Sequence, residues 1–184
     1  MIYGLTGLLG AGKGTVARII SREQRCRAWL MSDELRAMMR KRGLKTTRKG
    51  MQDFAVETRR VKGEGFVAEL LAKKIRSRNA VVDGMRNTAE VRALRKRFGR
   101  RFRLLAVSAP LRVRFGRARK RSREAEARTL SAFRKSDRRE AKSEGFGVRA
   151  CMRAADYKID NGGSLAALRK RVLSILERDR VLQH

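Results

Sequence analysis

Histidine occurs once, at His184, and proline once, at Pro110, in a chain of 184 residues. A Ser-His-Asp constellation therefore has no base to build on, and no proline-rich linker divides the chain. The two cysteines, Cys26 and Cys151, lie far apart; they supply neither a disulfide framework nor a four-cysteine zinc site, and they fit a reducing compartment. Ten aromatic residues, mostly at core-like spacing, poorly supply a platform for stacking single-stranded bases. No apolar run approaches the roughly 18–20 residues that span a bilayer. The apolar start is broken by Gly4, Gly7 and Gly10 with no basic segment ahead of it, unlike a signal peptide. A cytoplasmic location is expected.

Acidic residues are scarce as well: 18 against 48 basic ones give a net charge of +30. Such an excess points to polyanionic surroundings or partners and says little about fold. Residues 86–153 carry 17 of the 30 net charges, and arginine outnumbers lysine 35 to 13. Arginine favours planar contacts to phosphate, so salt-sensitive, non-specific contact with RNA or the ribosome is one expected use of this surface. An arginine-rich genome would leave the same mark.

Hydrophobic residues make up 42% of the chain, enough for one core, and the length favours a single domain over 1–184, expected as a monomer. Five strand-length apolar runs stand out at 2–6, 27–31, 80–83, 102–108 and 157–160. Between them, apolar residues fall at helical spacing, as in Val16, Ile19 and Ile20, or Val91, Leu94 and Phe98. The last set is Leu165, Leu168, Val172, Ile175 and Leu176, with Ser164 as its N-cap. Strands alternating with helices predict an α/β fold: three layers, about five parallel strands, helices on both faces. The stretches 32–78 and 111–153 are longer than one crossover helix needs and are expected as helical excursions above the carboxyl ends of the strands, where ligands bind in such sheets.

Immediately after the first strand comes Gly7-Leu8-Leu9-Gly10-Ala11-Gly12-Lys13-Gly14-Thr15, a G-x-x-x-x-G-K loop between a strand and a helix. Gly7, Gly10, Ala11, Gly12 and Gly14 leave backbone N–H groups free to converge on phosphate oxygens, the helix dipole adds to the attraction, and Lys13 reaches the β- and γ-phosphates. ATP and Mg2+ are the expected cofactors. Gly14 stands where a Ser or Thr usually meets magnesium, so the hydroxyl falls to Thr15. Asp83, at the tip of the third strand, suits a carboxylate that holds magnesium through water; a turn carboxylate would occupy the same place. Asp33 and Arg36, at i,i+3 after the second strand, share one helix face; Arg36 is either an anion clamp or an ordinary surface arginine.

The ending GAGKGT resembles the adenylate kinase branch of the nucleotide kinases. In nucleoside monophosphate kinases an Asp-x-x-Arg turn follows the second strand, which by resemblance makes Asp33 and Arg36 acceptor ligands. Those kinases also show Asp-Gly-x-Pro-Arg after the third strand; this chain reads Asp83-Gly84-Met85-Arg86, without the proline and with Arg86 one residue nearer. The segments 83–91, 137–140 and 155–165 resemble an archaeal family of adenylate-kinase-like or dephospho-CoA-kinase-like P-loop nucleotide kinases over essentially the whole chain. That resemblance implies Arg59 in the acceptor-binding excursion and Asn161 near the donor adenine. It also makes 111–153 a lid, with Arg121 and Arg128 chosen among its arginines to neutralise charge during transfer. The implied activity is ATP-dependent phosphoryl transfer to a nucleoside monophosphate. The competing expectations are dephospho-CoA kinase and an adenylate-kinase-like ATPase acting with RNA in ribosome assembly.

Overall fold

A computed structural model of the protein describes residues 1–120, 129–142 and 147–182. Strands β1 (Ile2–Thr6), β2 (Arg27–Leu30), β3 (Ala80–Met85), β4 (Phe102–Ser108) and β5 (Tyr157–Asp160) form one sheet in the order β2-β3-β1-β4-β5. Every pairing is parallel. β1 is central and all five of its residues are buried, the unbroken burial typical of a parallel strand covered on both faces. Its side chains alternate: Ile2 joins the core on one face, Tyr3 and Leu5 the core on the other.

Helices α1 (Lys13–Glu23) and α9 (Leu165–Val181) cover one face, with Val16, Ile20, Leu168, Val172 and Leu176 packed on Tyr3, Leu5, Leu105 and Ile159. The other face is covered by α4 (Phe66–Lys74), α5 (Thr88–Phe98) and α8 (Val148–Arg153) together with α2 (Met31–Lys41) and part of α3 (Arg48–Lys62). The three-layer α/β expectation therefore holds. α6 (Leu111–Lys120) and α7 (Leu130–Lys142) complete the chain's α-helices among the described residues.

Several boundaries differ from expectation for clear reasons. Met31 leaves the second strand and begins α2. β3 runs two residues past Asp83 because Thr6 pairs with Met85 after a bulge; Gly84 takes φ +97 there, and the Thr6 hydroxyl donates to the Met85 carbonyl at 2.9 Å. Of the stretch 32–78, α4 lies on the sheet, with Val67, Ala68, Leu71 and Ala72 buried. Of the stretch 111–153, α8 does the same through Val148 and Cys151. The excursions proper are α2–α3 and α6–α7. Ser164 caps α9 as expected, accepting from the Ala167 amide, but Leu165 is 65% exposed; as the first helical residue it lies beyond the face that packs on the sheet.

Candidate active site

The phosphate loop is shaped by contacts to distant parts of the chain. Gly7, Gly10 and Gly12 all take positive φ, at +145, +77 and +95. A Cβ on Gly7 would strike the Val107 carbonyl, one on Gly10 the backbone of Arg114, and one on Gly12 the Nδ2 of Asn161. Gly14, by contrast, faces open space. α1 opens at Gly12 with no side-chain cap, so its positive dipole end faces the loop and attracts an anion, with the Thr15 amide donating to the Gly12 carbonyl at 2.9 Å. Lys13 Nζ folds back over the loop, donating to the Gly7 carbonyl at 2.6 Å.

Asn161 and Arg114 hold this loop through long-range hydrogen bonds, and Arg117 in turn holds Asn161. Asn161 Nδ2, buried, donates to the Ala11 carbonyl at 2.8 Å, while the Asn161 amide donates to the Ser108 carbonyl. Arg117 Nη2 donates to the Asn161 carbonyl at 2.9 Å. Arg114, 6% exposed, donates through Nη1 to the Leu9 carbonyl at 3.2 Å, through Nε to the Ala109 carbonyl, and bidentately to the Asp137 carboxylate on α7 at 2.5 and 2.9 Å. One arginine thus fixes α6, α7 and the phosphate loop relative to one another.

Two clefts flank the loop. The first, about 320 Å3, is lined by Gly12, Thr15, Arg117, Lys120, Asn161 and Gly163. Arg117 Nη1 is buried there without a hydrogen-bond partner, a cationic donor available to a ligand. The second cleft, about 400 Å3, brings together Arg36, Arg59 and Arg86, with Ser32, Gln52 and Gly84. Each is positioned by a different element. Arg36 donates to Asp33 at 2.7 Å and to Ser32. Arg59, 8% exposed, pairs with Glu90, 1% exposed, at 3.0 Å. Glu90 closes the capping box of α5, its Oε2 accepting from the amides of Arg86 and Asn87.

Asp83 stands at the tip of β3. Burial pushes its carboxyl above the usual carboxylate range, against the opposing pull of Lys13, the Gly84 amide and Arg86. Its Oδ1 is buried without a hydrogen-bond partner. A buried carboxylate oxygen left open beside a phosphate loop fits a hydrated magnesium ion. No group of three or more His, Cys, Asp or Glu side chains that could enclose a metal occurs among the described residues, so a metal here would keep water and substrate phosphate as ligands, as magnesium commonly does.

Comparison with known proteins places this architecture. The family model described as an AAA domain matches residues 6–134. A UPF0200 protein of Methanosarcina mazei is 33% identical over 178 residues, covering 95% of this chain and 93% of its own. A UPF0200 protein of Methanothermobacter thermautotrophicus is 34% identical over 181 residues, covering 97% and 90%.

The chain belongs to the UPF0200 family.

Solved kinases share its fold. Shikimate kinase from Acinetobacter baumannii in complex with shikimate superposes with a TM-score of 0.63 at 21% identity, covering 96% of this chain and 90% of that one. A gluconokinase from Sinorhizobium meliloti 1021 gives 0.57 at 16%, covering 96% and 91%.

In this UPF0200 chain, Gly7, Gly10, Ala11, Gly12, Lys13 and Gly14 make the expected loop after β1, and Arg36, Arg59 and Arg86 meet in one cleft. Asn161 lines the other cleft, with its side-chain amide committed to Ala11. Thr15 faces that same cleft, and its hydroxyl accepts from Arg18 at 3.3 Å. Arg121 and Arg128, the lid arginines expected to act, lie outside the described residues. Arg114, Arg117 and Glu90 were not singled out by sequence reasoning. Arg114 and Arg117 are two among many arginines of the segment, and only their ties to Leu9 and Asn161 mark them; Glu90 had one available signal, the Asn87-x-x-Glu90 capping pattern.

Proposed function

We propose that this protein transfers the γ-phosphoryl group of ATP to a small phosphorylated acceptor, most simply a nucleoside monophosphate. The observation that carries the reading is the convergence of Arg36, Arg59 and Arg86 on one cleft beside the phosphate loop. Three guanidinium groups in a small cleft suit an anionic acceptor, and the solved kinases of the same fold, shikimate kinase and gluconokinase, support phosphoryl transfer to a small molecule.

In this reading the donor phosphates lie on the Gly7–Thr15 loop and Lys13 exchanges its carbonyl contacts for phosphate oxygens. Arg117 and Asn161 line the donor side. Asp83, with Thr15 as the second oxygen donor, would hold magnesium, which when bound supplies charge neutralisation at the phosphates. The acceptor phosphate is oriented by Arg36 and Arg86, while Arg59 is held in place by Glu90. The α6–α7 excursion serves as the lid that excludes water, and Arg121 and Arg128, outside the described residues, remain the arginines expected from the resemblance to neutralise charge during transfer. Positioning and electrostatics suffice, and no side-chain nucleophile is required.

The test is transfer of labelled γ-phosphate from Mg-ATP to AMP, CMP, UMP, GMP, dTMP or dephospho-CoA, beside reactions with no acceptor and with RNA alone. A labelled product with one acceptor upholds the reading and names the substrate; dephospho-CoA as the sole acceptor would transfer the site to that activity. Inorganic phosphate alone, stimulated by RNA and indifferent to every acceptor, would overturn it.

A further inference from the structure

We propose that the edge of the sheet opposite the phosphate loop is a docking surface for duplex nucleic acid, gripped through its phosphates. This inference is independent of the phosphoryl-transfer reading, because it involves neither cleft.

Parallel topology creates this edge. Ile2, Arg27, Ala80 and Phe102 are in register where β1, β2, β3 and β4 begin, so the loops entering those strands lie side by side. The three segments that supply them, 24–30, 70–82 and 94–105, contain twelve basic residues and no acidic one. Arg25, Arg27, Arg76, Arg78, Arg100 and Arg101 are all exposed, and none of the six forms an ion pair among the described residues. With strands about 4.8 Å apart, four strand starts set these guanidinium groups along roughly 15 Å.

Helix dipoles account for part of the charge. α1, α4, α5 and α9 carry basic residues in their last turns, where cations are stabilised. Arg25, Arg76, Arg78 and Arg100 lie beyond the helix ends, so the dipole does not explain them. Arg25 takes φ +45, the one non-glycine residue of positive φ among those described, an arginine at a helix-terminating position that favours glycine. Two arginines are fixed by carbonyls: Arg101 Nη2 donates to the Arg78 carbonyl at 2.6 Å, and Arg103, which also pairs with Asp179 at 3.4 Å, donates through Nη1 to the Arg100 carbonyl at 2.8 Å. Lys74, Arg95 and Arg103 pair with Glu34, Asp156 and Asp179, so among the described residues the uncompensated charge of this edge is that of the six exposed arginines. Its field is felt locally, since burial first, then Arg101 and Arg78, push the Met1 ammonium below its usual pKa.

The chemistry selects the partner. The six arginines named have planar forks that match phosphate oxygens, and exposed Lys73 and Lys96 of the same segments add charge beside them. The nearby rings are covered by cations and do not present stacking faces: Arg27 lies 3.9 Å above Trp29 and Arg97 5.4 Å from Phe98. A single strand needs such faces, whereas a duplex offers its backbone alone. In the entering loops 24–26, 75–79 and 99–101 no large hydrophobic side chain is exposed to insert into a bilayer.

The test is anisotropy of fluorescein-labelled RNA and DNA duplexes of about 20 base pairs, titrated with the full-length protein from about 50 to 200 mM salt. Three variants are compared with the wild type. Arg76→Gln/Arg78→Gln/Arg100→Gln removes three charges from the edge; Arg112→Gln/Arg134→Gln/Lys135→Gln removes three from α6 and α7; Arg25→Gly removes one charge and relieves the backbone. The edge variant should bind at least about tenfold more weakly, with the salt slope shallower by about 2–3, while the control changes less than about threefold. Arg25→Gly should bind more weakly without a lower melting temperature, which a folding defect would not produce. Whichever duplex binds tighter identifies the natural source, and either upholds the proposal. Equal loss in edge and control variants, no salt-dependent binding to either duplex, or tighter binding to phosphatidylserine vesicles than to both duplexes would overturn it.

Discussion

Replacing Glu90 by alanine should be among the most damaging single changes in this protein. Glu90 is 1% exposed and its partner Arg59 8% exposed, so the substitution takes from a buried guanidinium the carboxylate that lies 3.0 Å from it. Breaking a buried pair from one side costs about 3–5 kcal/mol. The amides of Arg86 and Asn87 lose their acceptor as well, which places the expected loss at the upper end of that range. For a chain of this size each kcal/mol moves the melting temperature by about 2–4 °C, so a loss of about 5 kcal/mol should lower it by roughly 10–20 °C, against a total stability of about 5–15 kcal/mol. Trp29, the single tryptophan, packs against the same core cluster and reports urea unfolding by fluorescence. Glu90→Gln, which keeps a carbonyl oxygen for the amides, should lose about half as much. In a cycle with Arg59→Met, the double variant should recover about 2 kcal/mol relative to the sum of the singles. A loss below about 1 kcal/mol for Glu90→Ala, or additive behaviour in the cycle, would refute the view that this pair joins α3 to the first turn of α5.

Arg36→Ala and Arg86→Ala should raise the KM for the acceptor about tenfold or more, the loss of a charge-assisted hydrogen bond, while leaving the KM for ATP within about threefold; steady-state kinetics separates the two. Gly12→Ala should abolish nucleotide binding by calorimetry, because the new methyl group collides with Asn161 Nδ2 at a φ of +95, whereas Gly14→Ser, facing open space, should retain it. Asp83 gives a pH dependence. Its carboxyl is held above the usual range, so the folded state keeps a proton that the unfolded chain has released, and Asp83 lowers stability as pH rises from the ordinary aspartate value through the raised one. Asp83→Asn should therefore be more stable than the wild type above that window in magnesium-free urea titrations, with the difference shrinking toward acid pH.

The parts legible in the sequence are those encoded locally. Five apolar runs and a glycine-rich loop between a strand and a helix specify the α/β sheet and the phosphate-binding segment, because period, turn chemistry and the motif all act within a dozen residues. Arg36 was accessible through its i,i+3 spacing with Asp33 after the second strand, and Arg86 through the family resemblance of the segment that follows Asp83. Arg114 and Arg117 were not, since their partners Leu9 and Asn161 lie 105 and 44 residues away and nothing nearby distinguishes them from their basic neighbours. The extents of the excursions were misjudged for a related reason: whether α4 and α8 cover the sheet or rise above it depends on which surface Leu71 or Cys151 meets, a property of tertiary packing that their own periodicity does not specify. The bulge at Gly84, which sets Asp83 and Arg86 at the strand tip, arises from a pairing slip between β1 and β3 and leaves only a glycine as its trace.

Asn161 ties events in folding to competence for binding. The Ala11 carbonyl that its side chain caps precedes it by 150 residues, and contacts of such separation form late, after the local structure they join. In the folded chain the loop depends on β5 lying beside β4, since the Ser108 carbonyl holds the Asn161 amide while the Asn161 side chain holds the Ala11 carbonyl. A ligand that binds this loop therefore binds the chain with β5 in place and stabilises that state over any in which the strand is detached.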